Sequence, residues 1–133
     1  FEPEALVIDK WFTAQATNPY DSDIRDTLQK LLTHPAFANP NPNRLRALVF
    51  GFCNQNPRHF HAMDGSGYEF WTQQVLHIDT SNPQVASRLA RTLEHWRTYA
   101  EPYQSLMKAA LQKVIDSPTL SQDVREIVAK ALA

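Results

Sequence analysis

The residue types best suited to chemistry gather in one stretch of this 133-residue chain, Cys53 to Glu69. His59 and His61, with Asp64 behind them, are side chains that a divalent metal would accept as ligands. On a helix, residues two apart point to different faces, so the two histidines could share an ion only from an extended loop. The H-E-x-x-H helix pattern, which does bring two histidines to one face, occurs nowhere in the chain. Capped or solvent-facing loop histidines are the simpler reading, and no metal site is assigned. Gly65-Ser66-Gly67 suggests a phosphate loop but lacks the wider glycine spacing and the lysine such loops use. Ser66 and Glu69 instead fit an S-x-x-E capping box, hydroxyl and carboxylate each satisfying an orphan N–H at a helix start. Cys53 has no histidine on its helix face to activate it and reads as a small buried hydrophobe. These residues make no catalytic centre.

Arginines are the remaining polar candidates. Arg88, Arg91 and His95 stand at i, i+3 and i+7, a ridge opposite the apolar stripe of their helix. Arg46, close to Arg44, flanks the stripe of another helix. Charged ridges by themselves read as solvated faces.

The elements that carry these residues are helices. Asn41-Pro42 opens one, asparagine as N-cap and proline at the first helical position, where its missing N–H costs nothing. Leu45, Leu48, Val49 and Phe52 continue it as one stripe, and Asn56-Pro57 ends it. After the connection RHFHAMDGSG, a second stripe of Tyr68, Trp71, Val75 and Ile78 completes a helical hairpin. Upstream, Pro3 to Ala16 has apolar residues on two sides: Ala5, Ile8 and Phe12, then Val7, Trp11 and Ala14. Ile24, Leu28, Leu31 and Leu32 form the stripe of a second helix. Downstream, Val85, Leu89, Leu93 and Trp96 form a fifth helix and Tyr103 to Ile115 a sixth, and Val124, Ile127, Val128 and Ala131 mark the last.

Pro3, Pro42 and Pro83 each stand near the start of a pair's leading helix and Pro118 near that of the final helix, 39, 41 and 35 residues apart. A helix-pair period near 40 residues is the mark of HEAT- or armadillo-like stacking. The expected fold is therefore all-α, a single domain over 1–133 with antiparallel pairs at about 3–33, 42–79 and 83–116 and a terminal helix at about 118–132. Only three glycines argue against a hairpin-rich β fold. A chain 43% hydrophobic and 20% charged buries roughly two thirds of its unfolded surface at this size. The net charge of -1 gives no basic field for nucleic acid or an anionic membrane. No apolar run approaches the ~20 residues of a membrane helix, and one cysteine excludes an internal disulfide.

NPNRLRALVFGFCNQNP, FHAMDGSGYEFW and NPQVASRL, with VIDKWFTAQAT near the start and KALA at the end, resemble the C-terminal domain of the bacterial aminopeptidase N family, the zinc-dependent gluzincin aminopeptidases. The resemblance runs through essentially the whole chain. It implies a cytoplasmic bacterial enzyme that removes N-terminal residues from peptides, with its zinc, glutamate base and catalytic domain upstream of a chain opening at Phe1. It implies that this domain, itself without catalytic residues or cofactor, arches over the catalytic domain and closes a chamber around the zinc. Arg46 and Arg88 then become the residues to face that chamber and meet a peptide carboxylate, with Tyr68 a further candidate. Asp64, Gly65, Ser66, Gly67 and Glu69 are assigned to the turn and cap. Helix 1, apolar on two sides through Trp11 and Phe12, would be where upstream structure packs, and in isolation would drive weak self-association. The competing reading is an autonomous HEAT-like scaffold that binds another protein in its concave groove.

Overall fold

Helix starts in this chain follow local chemistry. Asn82 caps the helix that Pro83 opens, its side chain accepting the Val85 N–H at 3.2 Å. Ser121 does the same for the last helix, its Oγ accepting the Val124 N–H. The computed structural model describes residues 3–37 and 42–133, with side chains over 6–37 and 43–133. Asn41, the expected cap for Pro42, lies outside the described residues.

The described chain is helical throughout, with no strand among the described residues. Its helices are α1 (Pro3–Ala16), α2 (Ile24–Leu32), α3 (Pro42–Leu45), α4 (Gly51–Gln55), α5 (Pro57–Phe60), α6 (Ser66–Asp79), α7 (Pro83–Ala90), α8 (Tyr103–Ile115) and α9 (Gln122–Leu132). None of them is long and apolar enough to cross a membrane. The chain divides into two compact units, residues 1–60 and 61–133, so the division falls inside the 42–79 pair grouped from sequence.

In the first unit, α1 packs on α2 and on the run from α3 to α4. Leu45, Leu48, Val49 and Phe52 are all buried, as their spacing requires. The run is one continuous helix whose middle, Arg46–Phe50, widens into a π-helix, a form that appears as single-turn bulges. At Gly51 a β-carbon would lie 3.8 Å from Ala16 Cβ and Thr17 Cγ2, so α1 passes close to the chain there. Arg44 binds this unit from the side: Nε meets Asp9 at 2.7 Å, Nη1 donates to the Ala36 carbonyl, and the guanidinium lies over Phe12. Asn56 stops α4 as expected, and its side-chain NH₂ donates to the Ala16 and Asn18 carbonyls, fastening the end of α1.

Three expectations of local structure are corrected. The connection after Asn56 is not a loop throughout, because Pro57 at a first helical position starts α5, whose Phe60 packs edge-on against Phe52. The helix expected to run to Trp96 ends at Ala90 and continues as 3₁₀ turns at Arg91–Leu93 and Trp96–Thr98. Leu93 and Trp96 are still buried, but the i, i+7 relation that joined Arg88 to His95 in one ridge no longer describes a helix face. On α1, Phe12 and Ala16 are buried while Leu6, Val7 and Trp11 are exposed, so Phe12 is core and only one of the two apolar faces is uncovered.

In the second unit, α6 and α7 run antiparallel, and the Trp71 indole N–H donates to the Leu89 carbonyl at 2.8 Å. α9 packs on α7 and α8. Asp79, at the end of α6, accepts both the backbone N–H and the hydroxyl of Ser121 and so docks the start of α9. The Trp96 indole N–H reaches the Ala131 carbonyl and holds its other end.

Candidate functional site

The turn before α6 sets the geometry of the polar residues that the sequence singles out. Gly65 takes the left-handed conformation at φ 79°, which a side chain would strain, and a β-carbon there would come within 3.4 Å of Leu106. Gly65 is the residue that caps α6, and no side chain caps the helix in the way the Ser66–Glu69 box predicts. Ser66 lies inside the first turn instead, where its N–H is taken by Asp64 Oδ1 at 2.9 Å. A carboxylate two residues back competes well for that donor, because it carries charge and needs only an Asx-type turn. Gly67 is buried and Glu69 exposed.

The two histidines are used separately. His59 Nε2 lies 3.0 Å from the Pro19 carbonyl, which can only accept, so this nitrogen carries the proton and donates. His61 Nδ1 meets the Tyr68 hydroxyl. No group of three His, Cys, Asp or Glu side chains converges as a metal site among the described residues. Cys53 is buried, and burial pushes its thiol far above the ordinary range, so no thiolate is available as a nucleophile at neutral pH.

His61 is the centre of an aromatic cluster that sequence spacing did not reveal. Tyr99 stacks on the imidazole with centroids 5.1 Å apart, while Tyr68 and Tyr103 approach edge-on. Tyr68 is 2% exposed. Burial, followed by the neighbouring Tyr99 and Tyr103, pushes its hydroxyl well above the usual phenol range, so it stays protonated and donates to His61. Burial lowers the pKa of His61, favouring the neutral ring that accepts this bond. Tyr99 and Tyr103 come from beyond α7, and no local pattern in the chain points to their meeting with His61.

One pH effect follows. As pH falls below about 6.5, the unfolded chain takes up a proton at residue 61 before the folded chain does. Stability should therefore decline from about pH 6.5 down to the lower folded pKa, with no further contribution from this group below it. His61→Phe keeps a ring in place but removes the titration, so its urea midpoint should fall less between about pH 7.5 and about pH 5.5 than that of the parent. Equal declines in the two proteins would show that His61 does not carry the effect.

The arginines lie apart from this cluster in the chain. Arg46 is exposed at the start of the π segment, its Nη1 donating to Asn43 Oδ1 at 3.1 Å. Arg88 is exposed in the last turn of α7. Arg91 and His95, in the 3₁₀ region, both turn to Glu94.

Comparison with known proteins places these features. The family model described as a domain of unknown function with armadillo (ARM) repeats, DUF3458_C, matches residues 1–133. The chain is 43% identical over 129 residues to aminopeptidase N of Caulobacter vibrioides, and 43% identical over 132 residues to that of Haemophilus influenzae. It is 44% identical over 128 residues to aminopeptidase N of Escherichia coli. These alignments take in 97%, 99% and 96% of the chain, yet in each case only 15% of the relative. A crystal structure of Legionella pneumophila aminopeptidase A in complex with aspartic acid superposes with a TM-score of 0.90 at 30% identity, covering 98% of this chain and 15% of that one. With the family model spanning its full length and an all-helical fold to match, the chain belongs to the DUF3458_C family of ARM-repeat domains.

Proposed function

We propose that this chain is the C-terminal, non-catalytic domain of a bacterial zinc aminopeptidase, closing the active-site chamber and controlling which peptides enter. The observation that carries this reading is the identity of 43–44% to aminopeptidases N, sustained over nearly the whole chain but over 15% of their length. The whole protein would remove N-terminal residues from peptides in the cytoplasm. Its zinc would polarise the scissile carbonyl and activate water. Among the described residues no three ligand side chains converge to fit such an ion, and His59 and His61 each spend a ring nitrogen on Pro19 and Tyr68. Their part is to bind and admit substrate. In this reading Arg46 and Arg88, both exposed, offer planar guanidinium forks to a peptide carboxylate or acidic side chain, and Tyr68 contributes through His61.

The isolated domain tests the division of labour. Purified residues 1–133 should hydrolyse no aminoacyl reporter and retain no stoichiometric zinc after dialysis, whereas the full-length protein does both. Zinc retained by the domain and lost in His59→Ala or His61→Ala would overturn the assignment. The same preparation should self-associate weakly, because α1 exposes Leu6, Val7 and Trp11 at 46%, 65% and 43%, a face suited to the catalytic part of the same protein. Strictly monomeric sedimentation at high concentration would remove the case for that face.

A further inference from the structure

The cluster around His61 has an open side. Tyr99 is 39% exposed, and its ring is stacked on the imidazole at an interplanar angle of 30°. The imidazole cannot easily turn away. The Tyr68 hydroxyl holds its Nδ1, Tyr68 stands against it edge-on at 5.5 Å, and Tyr103 does so at 6.3 Å. Tyr99 is thus an aromatic surface on a fixed backing rather than a mobile side chain.

Topology brings an arginine to the same end of this unit. α6 and α7 are antiparallel and joined by Thr80–Asn82, and the Trp71 indole N–H reaches the Leu89 carbonyl. The first turns of α6, which carry Tyr68, therefore lie at the end where α7 finishes, and the last turn of α7 carries the exposed Arg88. α8 begins at this end too, since Tyr103 meets His61 and Leu106 lies against Gly65. An aromatic shelf and a cation at one end of a helix layer suit a ligand with a ring and a negative charge close together. A peptide ending in an aromatic residue has both.

We propose that Tyr99, backed by His61, is a specificity-determining surface that takes an aromatic side chain at the carboxylate end of a peptide, beside Arg88. The proposal rests on the chamber-closing reading given above and adds the substrate class to it. Offset or edge-to-face aromatic pairing predicts a preference of about two- to tenfold for an aromatic over a small side chain at that position. The ring, not the phenol oxygen, supplies the contact. His61 acts through Tyr99 and is a positioning residue.

The test uses the full-length protein and two peptides that differ only in a C-terminal Phe or Ala, with a small aminoacyl reporter as the reference. The ratio of kcat/KM for the Phe peptide to that for the Ala peptide should fall to near one in Tyr99→Ala and return in Tyr99→Phe. A ratio unchanged in Tyr99→Ala, or lost equally in Tyr99→Phe, overturns the proposal. Arg88→Ala separates the aromatic shelf from the chamber reading. If it lowers peptide turnover relative to the reporter while Tyr99→Ala leaves the Phe-to-Ala ratio alone, the shelf is wrong and the chamber reading stands. If neither variant moves its ratio and Arg46→Ala does not either, the chamber reading fails and the shelf fails with it.

Discussion

Trp71→Ala should be strongly destabilising, costing about 3–5 kcal/mol. The Trp71 side chain is fully buried between α6 and α7, and its indole N–H is the donor to the Leu89 carbonyl. Truncation removes the packing of a large ring and leaves a cavity that antiparallel helices can close only in part. It also removes one of the two donors to the Leu89 carbonyl, which keeps its backbone partner at the end of α7, so this adds a smaller loss. A small domain is stable by only about 5–15 kcal/mol, so the variant should lose roughly a fifth or more of its margin. Trp71→Phe isolates the second effect: most of the ring volume is kept and the donor is lost, so the cost should be nearer 0.5–1.5 kcal/mol, roughly one net hydrogen bond. Urea unfolding of the three proteins gives the comparison, and the Phe variant keeps it measurable if the Ala variant does not fold. A midpoint for Trp71→Ala within about 1 kcal/mol of the parent would mean that α6 and α7 are not held by this residue.

Much of this architecture is legible in the chain because its signals are local. Ile24, Leu28 and Leu31 are buried on α2, and Val124, Val128 and Ala131 on α9, where a 3.6-residue period puts them. Asn82 and Ser121 cap their helices because a short oxygen-bearing side chain reaches the free N–H three residues on. The misreadings arise where two local options compete. Glu69 and Asp64 both offer a carboxylate at the start of α6, and Asp64 takes the Ser66 N–H. Leu89, Leu93 and Trp96 fit α-helix and 3₁₀ spacing almost equally, so the change at Ala90 is invisible in the stripe. The π turn at Arg46–Phe50 leaves no mark either, since Leu48 and Val49 are buried in either geometry.

The candidate site was less legible, for a physical reason. Arg46 and Arg88 stand out by residue type, but the chain alone holds nothing that says what an exposed guanidinium meets. The cluster at His61 depends on contacts with Tyr99 and Tyr103, made only once α6 and α8 have packed. Side chains some 40 positions apart in sequence share no period that a helix pattern could expose. Tyr68 stands beside the DGSG turn in the sequence, and the structure shows its ring buried with the hydroxyl spent on His61.

In the proposed function this domain handles the distal part of a peptide and does none of the chemistry. Arg46→Ala and Arg88→Ala in the full-length protein address this directly. A charge-assisted hydrogen bond to a carboxylate is worth roughly 1.5–3 kcal/mol when well formed, which corresponds to about tenfold to a hundredfold in kcat/KM for a peptide. Access of water to exposed side chains reduces that toward a few-fold. A loss confined to KM would mean uniform binding, and a loss in kcat would mean that the arginines align the peptide for attack. A short aminoacyl reporter lacks the distal carboxylate and has nothing for these guanidinium groups to hold. The decisive quantity is the ratio of peptide to reporter kcat/KM in each variant, with folding checked by the urea midpoint. This ratio should fall in both variants; a ratio equal to that of the unmodified enzyme in both, with stability intact, would show that this domain does not hold the distal end of the peptide.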